Sequence, residues 1–286
     1  MRSLRIMPRA AFLLSLLLAL PAQAQQAASP PLPDIPLLMK EVHEHQKQLD
    51  KVRENYTFSV SRVVQEIDAK GQVSKTETEE AEVFFVNGHE ISRSVKKDGK
   101  PLTDEEQKKE TGHVTKLVEK AEKTPPDQPL DGHAITISRL LEIMDVLHER
   151  RESYHERPAI VFDFVGRKDA QTHGLAEDAS KKLQGTMWID EGDRQIIHMD
   201  VAFDDNFHVA GGVLATIQKG TNFHFDQAMV NGEIWLPTGA EGSVQARVFL
   251  VKGIRQHFTE RVYDYKRFHV EAQQGKGAKV VPENKP

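Results

Sequence analysis

In residues 195–203, QIIHMDVAF, Ile197, Met199, Val201 and Phe203 alternate with His198, Asp200 and Ala202. A period of two is the signature of a strand with one greasy and one wet face. The same alternation recurs downstream. Phe223 and Phe225 flank His224, and Val244, Ala246, Val248 and Leu250 alternate with Gln245, Arg247 and Phe249. An antiparallel sheet covered on one side only produces this pattern.

Working outward, strand-like runs occupy 158–166, 183–190, 195–203, 213–219, 222–230, 233–237, 243–251 and 254–270. Gly192-Asp193, Lys219-Gly220, Asn231-Gly232, Gly239 to Gly242 and Lys252-Gly253 punctuate them. Near the N-terminus Tyr56, Phe58 and Val60 alternate with Thr57, Ser59 and Ser61. Runs at 76–86 and 89–95 around Asn87-Gly88, a strong hairpin dipeptide, complete a three-stranded meander. The whole reads as about eleven sequential antiparallel strands.

Helical patterns sit around the sheet. Over 34–54, Asp34 can cap and Pro36 suits a first turn, while Ile35, Leu38, Val42, Leu49 and Val52 form one apolar stripe in which His45 fills a gap. Thr103 with Glu106 spells a capping box, and Gly112 is expected to interrupt the helix that follows. Residues 136–147, with Ile137, Leu140, Leu141, Met144 and Leu147, read as a further helix. The fold class expected is α+β. Such strand spacing suggests a sandwich, a barrel or one large curved antiparallel sheet with the amphipathic helices as cover. The choice of a strongly curved antiparallel sheet, an incomplete β-barrel with helices covering its concave face, is what the resemblance given below implies.

The first 24 residues read as an export signal. Arg2, Arg5 and Arg9 precede an apolar run at 10–22, too short to span a bilayer, and Ala22-Gln23-Ala24 suits cleavage near Ala24. Residues 25–33, QQAASPPLP, read as a flexible linker, 34–272 as the folded domain and 273–286 as a disordered tail. A periplasmic protein is expected. The 286-residue chain has 38 Lys and Arg against 43 Asp and Glu, a net charge of −5; losing three arginines leaves 35 against 43, or −8. That disfavours nucleic acid as a partner. With no cysteine there is no disulfide, thiolate zinc site, Cys nucleophile or lipid-modified Cys.

Catalytic motifs are missing: no G-x-S-x-G elbow, P-loop or G-x-G-x-x-G. Thirteen histidines raise the question of metal, yet His43 and His45 diverge on a helix, and the others fall mostly on wet faces or turns. Glu77, Glu79, Glu80 and Glu82 read as an acidic strand edge that discourages edge-to-edge pairing. No catalytic residue, cofactor or metal ligand is expected.

Three segments, LQGTMWID at 183–190, VNGEIWLP at 230–237 and RVYDYKRF at 261–268, follow in this order behind the N-terminal amphipathic helix. Together they resemble the outer-membrane lipoprotein-sorting protein superfamily, the LolA/LolB-like fold, over about 34–270. That resemblance implies a bent, incomplete barrel with helices in its concave side, binding the acyl chains of lipoproteins or other lipids and meeting inner- and outer-membrane envelope proteins. Trp188, Asp190, Trp235, Pro237 and Tyr265 stand at the motif positions and are expected to set hairpins and core. The carriers of the family use a lid arginine from the N-terminal region; Arg53 and Arg62 lie in the corresponding part of this chain.

The physical case for a shield is that a sixteen-carbon chain costs about 12 kcal/mol to leave in water, at ~0.8 kcal/mol per CH₂. The expected cavity, of at least several hundred Å³, is lined by Leu38, Val42, Leu49, Leu140, Met144, Ile197, Met199, Val201, Phe203, Phe223, Phe225 and Val248, with the helices as lid. The alternatives are an envelope interaction or sensor module of the same fold with a filled core, and a periplasmic hydrolase, which requires His and carboxylate side chains to converge in one cleft.

Overall fold

The computed structural model describes residues 30–126, 128, 130, 135–271 and 279–282. The expected signal segment, most of the linker and most of the tail lie outside the described residues. The chain divides into Met1–Pro31 and a body, Leu32–Pro286, described by itself below.

The body opens with helix α1, Ile35–Arg53. Asp34 caps it by accepting from Leu37 N at 2.9 Å, and Lys51 and Arg53 in the last turn suit the helix dipole. Its buried stripe is Leu38, Val42, Gln46 and Leu49. Gln46, not His45, fills the gap, because its Nε2 donates to Gln195 Oε1 at 3.0 Å and is satisfied when buried. Val52 falls off the stripe and is exposed.

Strands β1 (Tyr56–Ile67), β2 (Val73–Val86), β3 (His89–Lys97) and β4 (Lys100–Pro101) form the N-terminal meander. Helix α2, Asp104–Lys123, starts on the expected Thr103–Glu106 capping box and packs along β3. It runs through Gly112 without a break; the residue faces open space, so its only cost is the modest one of a mid-helix glycine. Helix α3 is only Ile137–Glu142. The apolar pattern continues past it, but Met144 onward is strand β5 (Met144–Tyr154), paired with β6 (Arg157–Gly166). Sheet pairing overrides a helical spacing that was local only. Helix α4 (Leu175–Ser180) was not expected.

Strands β7 (Leu183–Asp190), β8 (Ile196–Phe203), β9 (Phe207–Val209), β10 (Ala215–Ile217), β11 (Asn222–Val230), β12 (Ile234–Val248), β13 (Lys252–Glu271) and β14 (Lys279–Pro282) follow. The segments expected at 233–237 and 243–251 are one strand, β12. Gly239 and Gly242 are not turn residues there: a Cβ would sit 2.7 Å from Glu260 O at Gly239 and 2.4 Å from Asn222 O at Gly242. They let neighbouring backbones approach.

The main sheet runs β4-β3-β2-β1-β13-β12-β11-β8-β7-β6-β5, antiparallel throughout. Its two end strands do not pair with each other, so the sheet is open, an incomplete curved sheet. β9 and β10 extend one end beside β12, and β14 pairs with the end of β13, in the region expected to be a tail.

The largest core lies between α1, α3 and β5–β8. Leu38, Val42 and Leu140 meet Ile160, Phe162, Phe164, Met187, Ile189 and Ile196. Each such side chain, fully buried, contributes about 1.5–3 kcal/mol. On the opposite face Ala159, Val161, Ile197 and Trp235 form a second cluster, so β6 is buried on both faces.

Gly185 marks the tightest layer: a Cβ there would lie 1.9 Å from Asp200 O and 2.6 Å from the Phe164 ring. We expect Gly185→Ala to lower stability by about 3 kcal/mol, since neither backbone nor a packed ring can yield cheaply. Urea unfolding measures this, and an unchanged midpoint would refute the packing described.

Candidate functional site: a half-open cleft and an outer histidine row

The expected cavity lining divides among five places. Leu38, Val42, Leu140, Met144, Met199, Val201 and Phe203 gather in one buried cluster beneath α1, with Phe223 at its margin. Leu49 belongs to a smaller cluster with Tyr56 and Leu236. Ile197 points to the other face, because a register shift between Trp188 and Ile189 puts an extra residue into β8 and Ile196 takes the inward position. Val248 sits half-buried near the far end of β12. Val201 and Phe223 also border an open trough described below, and Phe225 lines a separate opening.

That opening is a half-enclosed cleft of about 260 Å³, where α1 ends over β1, β2, β3, β12 and β13. Phe58, Val60, Val83, Phe225 and Val262 make its apolar floor, and Arg53, Arg62, Glu79, Glu90 and Glu260 its charged rim. Arg62 and Glu260 stand directly opposite across β1 and β13, and the guanidinium holds the carboxylate at 2.6 and 2.9 Å. Glu79 accepts from the Ser94 hydroxyl. Arg53 differs. Its guanidinium lies 5.3 Å from the centre of the Phe85 ring, and its Nε is buried without a hydrogen-bond partner. A buried guanidinium N–H left unpaired costs free energy that an acceptor entering the cleft would recover.

The motif residues brace this architecture. Tyr265 donates to Pro237 O at 2.7 Å and packs against Phe58 and Tyr56, tying β13 to β12 under the cleft; burial pushes its hydroxyl pKa up. Trp235 donates to Asp193 at 3.2 Å with Arg157 over its ring. Trp188 packs edge-on against His198. Asp190, 2% exposed, accepts from Gly192 N at 3.0 Å, Asp193 N at 2.7 Å and the Arg157 guanidinium, and so closes the β7–β8 turn.

The wet face carries an arrangement that periodicity alone does not reveal. His198 Nδ1 lies 2.7 Å from Asp226, which also accepts from Tyr154 OH at 3.0 Å, and His198 Nε2 lies 3.3 Å from Asp200. His224 is 3.6 Å from Asp200, and His257 is 3.2 Å from Glu241. Tyr154 stacks on His198 at 4.9 Å; burial, then the bond to Asp226, raises its hydroxyl pKa. The pairing has a simple origin: His198-x-Asp200 and His224-x-Asp226 lie antiparallel, with His224 opposite Asp200 and Asp226 opposite His198. The two H-x-D triplets were visible in the sequence; only the register joins them. Beside them runs an open trough of about 630 Å³ lined by Leu147, His148, Asp163, Thr186, Asp200 and His224, among others.

Among the described residues no group of three or more His, Asp or Glu has the geometry to hold a metal ion. Ser243 approaches His257 Nδ1 at 3.4 Å, but the two residues are cross-strand partners on β12 and β13 and the contact follows from that pairing.

No family model and no curated protein matches the chain. Among solved structures, a DUF1329 family protein from Desulfovibrio piger ATCC 29098 superposes with a TM-score of 0.36 at 10% identity, covering 80% of this chain and 92% of that one. MucB, solved in complex with MucA(peri), superposes with a TM-score of 0.22 at 9% identity, covering 78% and 94%. At these scores the strand order itself remains the ground for the fold.

Asp190 gives the testable link between this bracing and pH. Burial opposes its ionisation, but Arg157 and the two turn N–H groups outweigh it and hold the carboxyl below the usual range. Its stabilising effect is complete above the ~3.9 of an unfolded aspartate and is lost as pH falls through the lower folded value. We expect Asp190→Asn to cost about 2 kcal/mol at neutral pH, with the difference narrowing in acid. Denaturant unfolding at both pH values checks this; equal midpoints at neutral pH would contradict it.

Proposed function

We propose that the protein is an exported, non-enzymatic binding protein of the bacterial envelope that holds one amphiphile, a lipid or the acylated end of a lipoprotein, in the cleft at the end of α1. The observation that carries this reading is the cleft itself: an apolar floor of Phe58, Val60, Val83, Phe225 and Val262 left open beside an arginine whose Nε lacks a partner. The chain's resemblance to the lipoprotein-sorting superfamily supports the same direction, and Arg53 occupies the N-terminal region where those carriers use an arginine.

Size sharpens the proposal. About 260 Å³ lies just under the ~300–1,000 Å³ of ordinary ligand pockets, so the cleft takes one chain, in part, with the polar end at Arg53. Among the described residues no helix is long and apolar enough to cross a membrane. A periplasmic location belongs to the same proposal and rests on the N-terminal sequence.

A second reading has its own support. The buried cluster of helix and sheet side chains beneath α1 supports a module that grips a protein partner instead of a chain. Uptake separates the two. Native mass spectrometry of the exported protein, together with titration of a fluorescent fatty acid, is expected to give a one-to-one adduct. Phe225→Asp should weaken it at least tenfold, and Arg53→Gln about tenfold, the loss of one charge-assisted bond. A bare protein mass with no probe uptake would leave the interaction module as the better reading.

A further inference from the structure

At the end of the sheet opposite the turns at Asn231-Gly232, the β12–β13 hairpin closes on Phe249, Leu250 and Val251, exposed by 66%, 59% and 86%. Beside them, after the glycine turn Gly211-Gly212, Val213 and Leu214 are also exposed, and Phe249 N donates to Leu214 O at 3.0 Å, joining the two loops into one apex. Five large apolar side chains together in water are unusual for a chain of this charge and mark a contact site.

The turn is also built against local preference. Phe249 and Leu250 both hold positive φ, 48° and 63°, with Val251 N bonded to Val248 O. Three other turns of this chain with the same pair of positive φ values use Asn87-Gly88, Asp98-Gly99 and Asn231-Gly232, the residues such turns favour. A fourth uses the polar pair His155-Glu156. Among the described residues only this one places bulky apolar residues where they are strained, and strain retained at an exposed tip points to use.

Charge identifies the partner. Residues 206–225 and 242–259 contain no Asp or Glu, whereas Lys219, Arg247, Lys252 and Arg255 lie within them. None of these four is in an ion pair among the described residues. Arg247, Lys252 and Arg255 are exposed and set back a few residues from the apex along the two strands. An acidic protein thus presents a basic hairpin with grease outermost and cations behind it, Glu66 of neighbouring β1 standing opposite Gln256. That layering matches the depth profile of an anionic bilayer surface, acyl boundary first and phosphates next.

We propose that this apex is a membrane-docking element: Phe249, Leu250, Val251, Val213 and Leu214 enter the headgroup boundary of an anionic phospholipid bilayer while Arg247, Lys252 and Arg255 meet its phosphates. The inference is independent of the cleft, which lies on a different part of the sheet.

The test is co-sedimentation of the exported protein with vesicles of equimolar phosphatidylglycerol and phosphatidylcholine, against phosphatidylcholine alone. Binding should be at least tenfold tighter to the anionic vesicles and fall in about 0.5 M salt. The double variant Phe249→Asn, Leu250→Gly installs the favoured turn pair, so its thermal midpoint should hold or rise while vesicle binding falls about tenfold. It should keep any fatty-acid uptake, which separates failure here from failure of the cleft. Phe249→Trp should show a blue-shifted emission on anionic vesicles only. Equal vesicle binding by the double variant and the parent, or no vesicle binding with the apex instead engaging an envelope protein, would overturn the proposal.

Discussion

Burial of β6 on both faces is the constraint from which the asymmetry of the molecule follows. Ile160, Phe162 and Phe164 on one side require α1 and α3 as cover, while Ala159 and Val161 on the other lie beneath Trp235. The helix that answers the first demand has 19 residues, about 28 Å. At ~4.8 Å per strand it can cross no more than about six strands. The sheet order has eleven. α1 therefore spends its buried stripe on β5–β8 and reaches β12 and β1 only at Leu49. The cleft lies where the cover runs out, and Arg53 is there because basic residues suit a helix C-terminus as well as a ligand.

Much of this was legible. The strands at 183–190 and 222–230 end where alternation and turn residues place them, the Asp34 cap and the Thr103–Glu106 box are legible in residue type and spacing, and period-two alternation yields an antiparallel α+β sheet while leaving its closure open. What failed has one cause, which is that local pattern carries no partner information. Leu140 and Met144 sit four apart and read as helix, yet the carbonyls and N–H groups after Ile143 bond to β6. Gly239 and Gly242 look like turn residues, yet their role is set by Glu260 O and Asn222 O, distant in sequence. The expected lining divides for the same reason: alternation says which side chains share a face, not which cluster each one joins.

The outer face shows the same limit from the opposite direction. Its histidines and carboxylates alternate as solvated residues do, and each alone needs no explanation. Set in register, His198, Asp200, His224 and Asp226 become a checkerboard of opposite potential charge, each His flanked by carboxylate. Such cross-strand pairs hold β8 and β11 together on the side without helices. The face thereby stays polar without becoming a run of like charge, in keeping with the scattered acidity of the chain as a whole.

Two features mark where the molecule lacks a partner. Most buried polar atoms, such as Gln46 Nε2 and Asp190, are paired, with Arg53 Nε, Arg167 Nε, Arg194 Nη1, Asp204 Oδ1 and Gln227 Oε1 the exceptions among the described residues, and three turns use the Asn-Gly or Asp-Gly pair that positive φ favours. Arg53 Nε goes without an acceptor, and Phe249-Leu250 occupies a turn where each non-glycine residue costs about 1 kcal/mol or more. Of the five unpaired atoms, Arg53 Nε alone belongs to a residue lining the cleft. Both features are also where the molecule meets its surroundings, one at the cleft and one at the basic β12–β13 hairpin. An amphiphile supplies what each lacks: an acidic oxygen for the guanidinium, and an apolar layer beneath a phosphate plane for the hairpin.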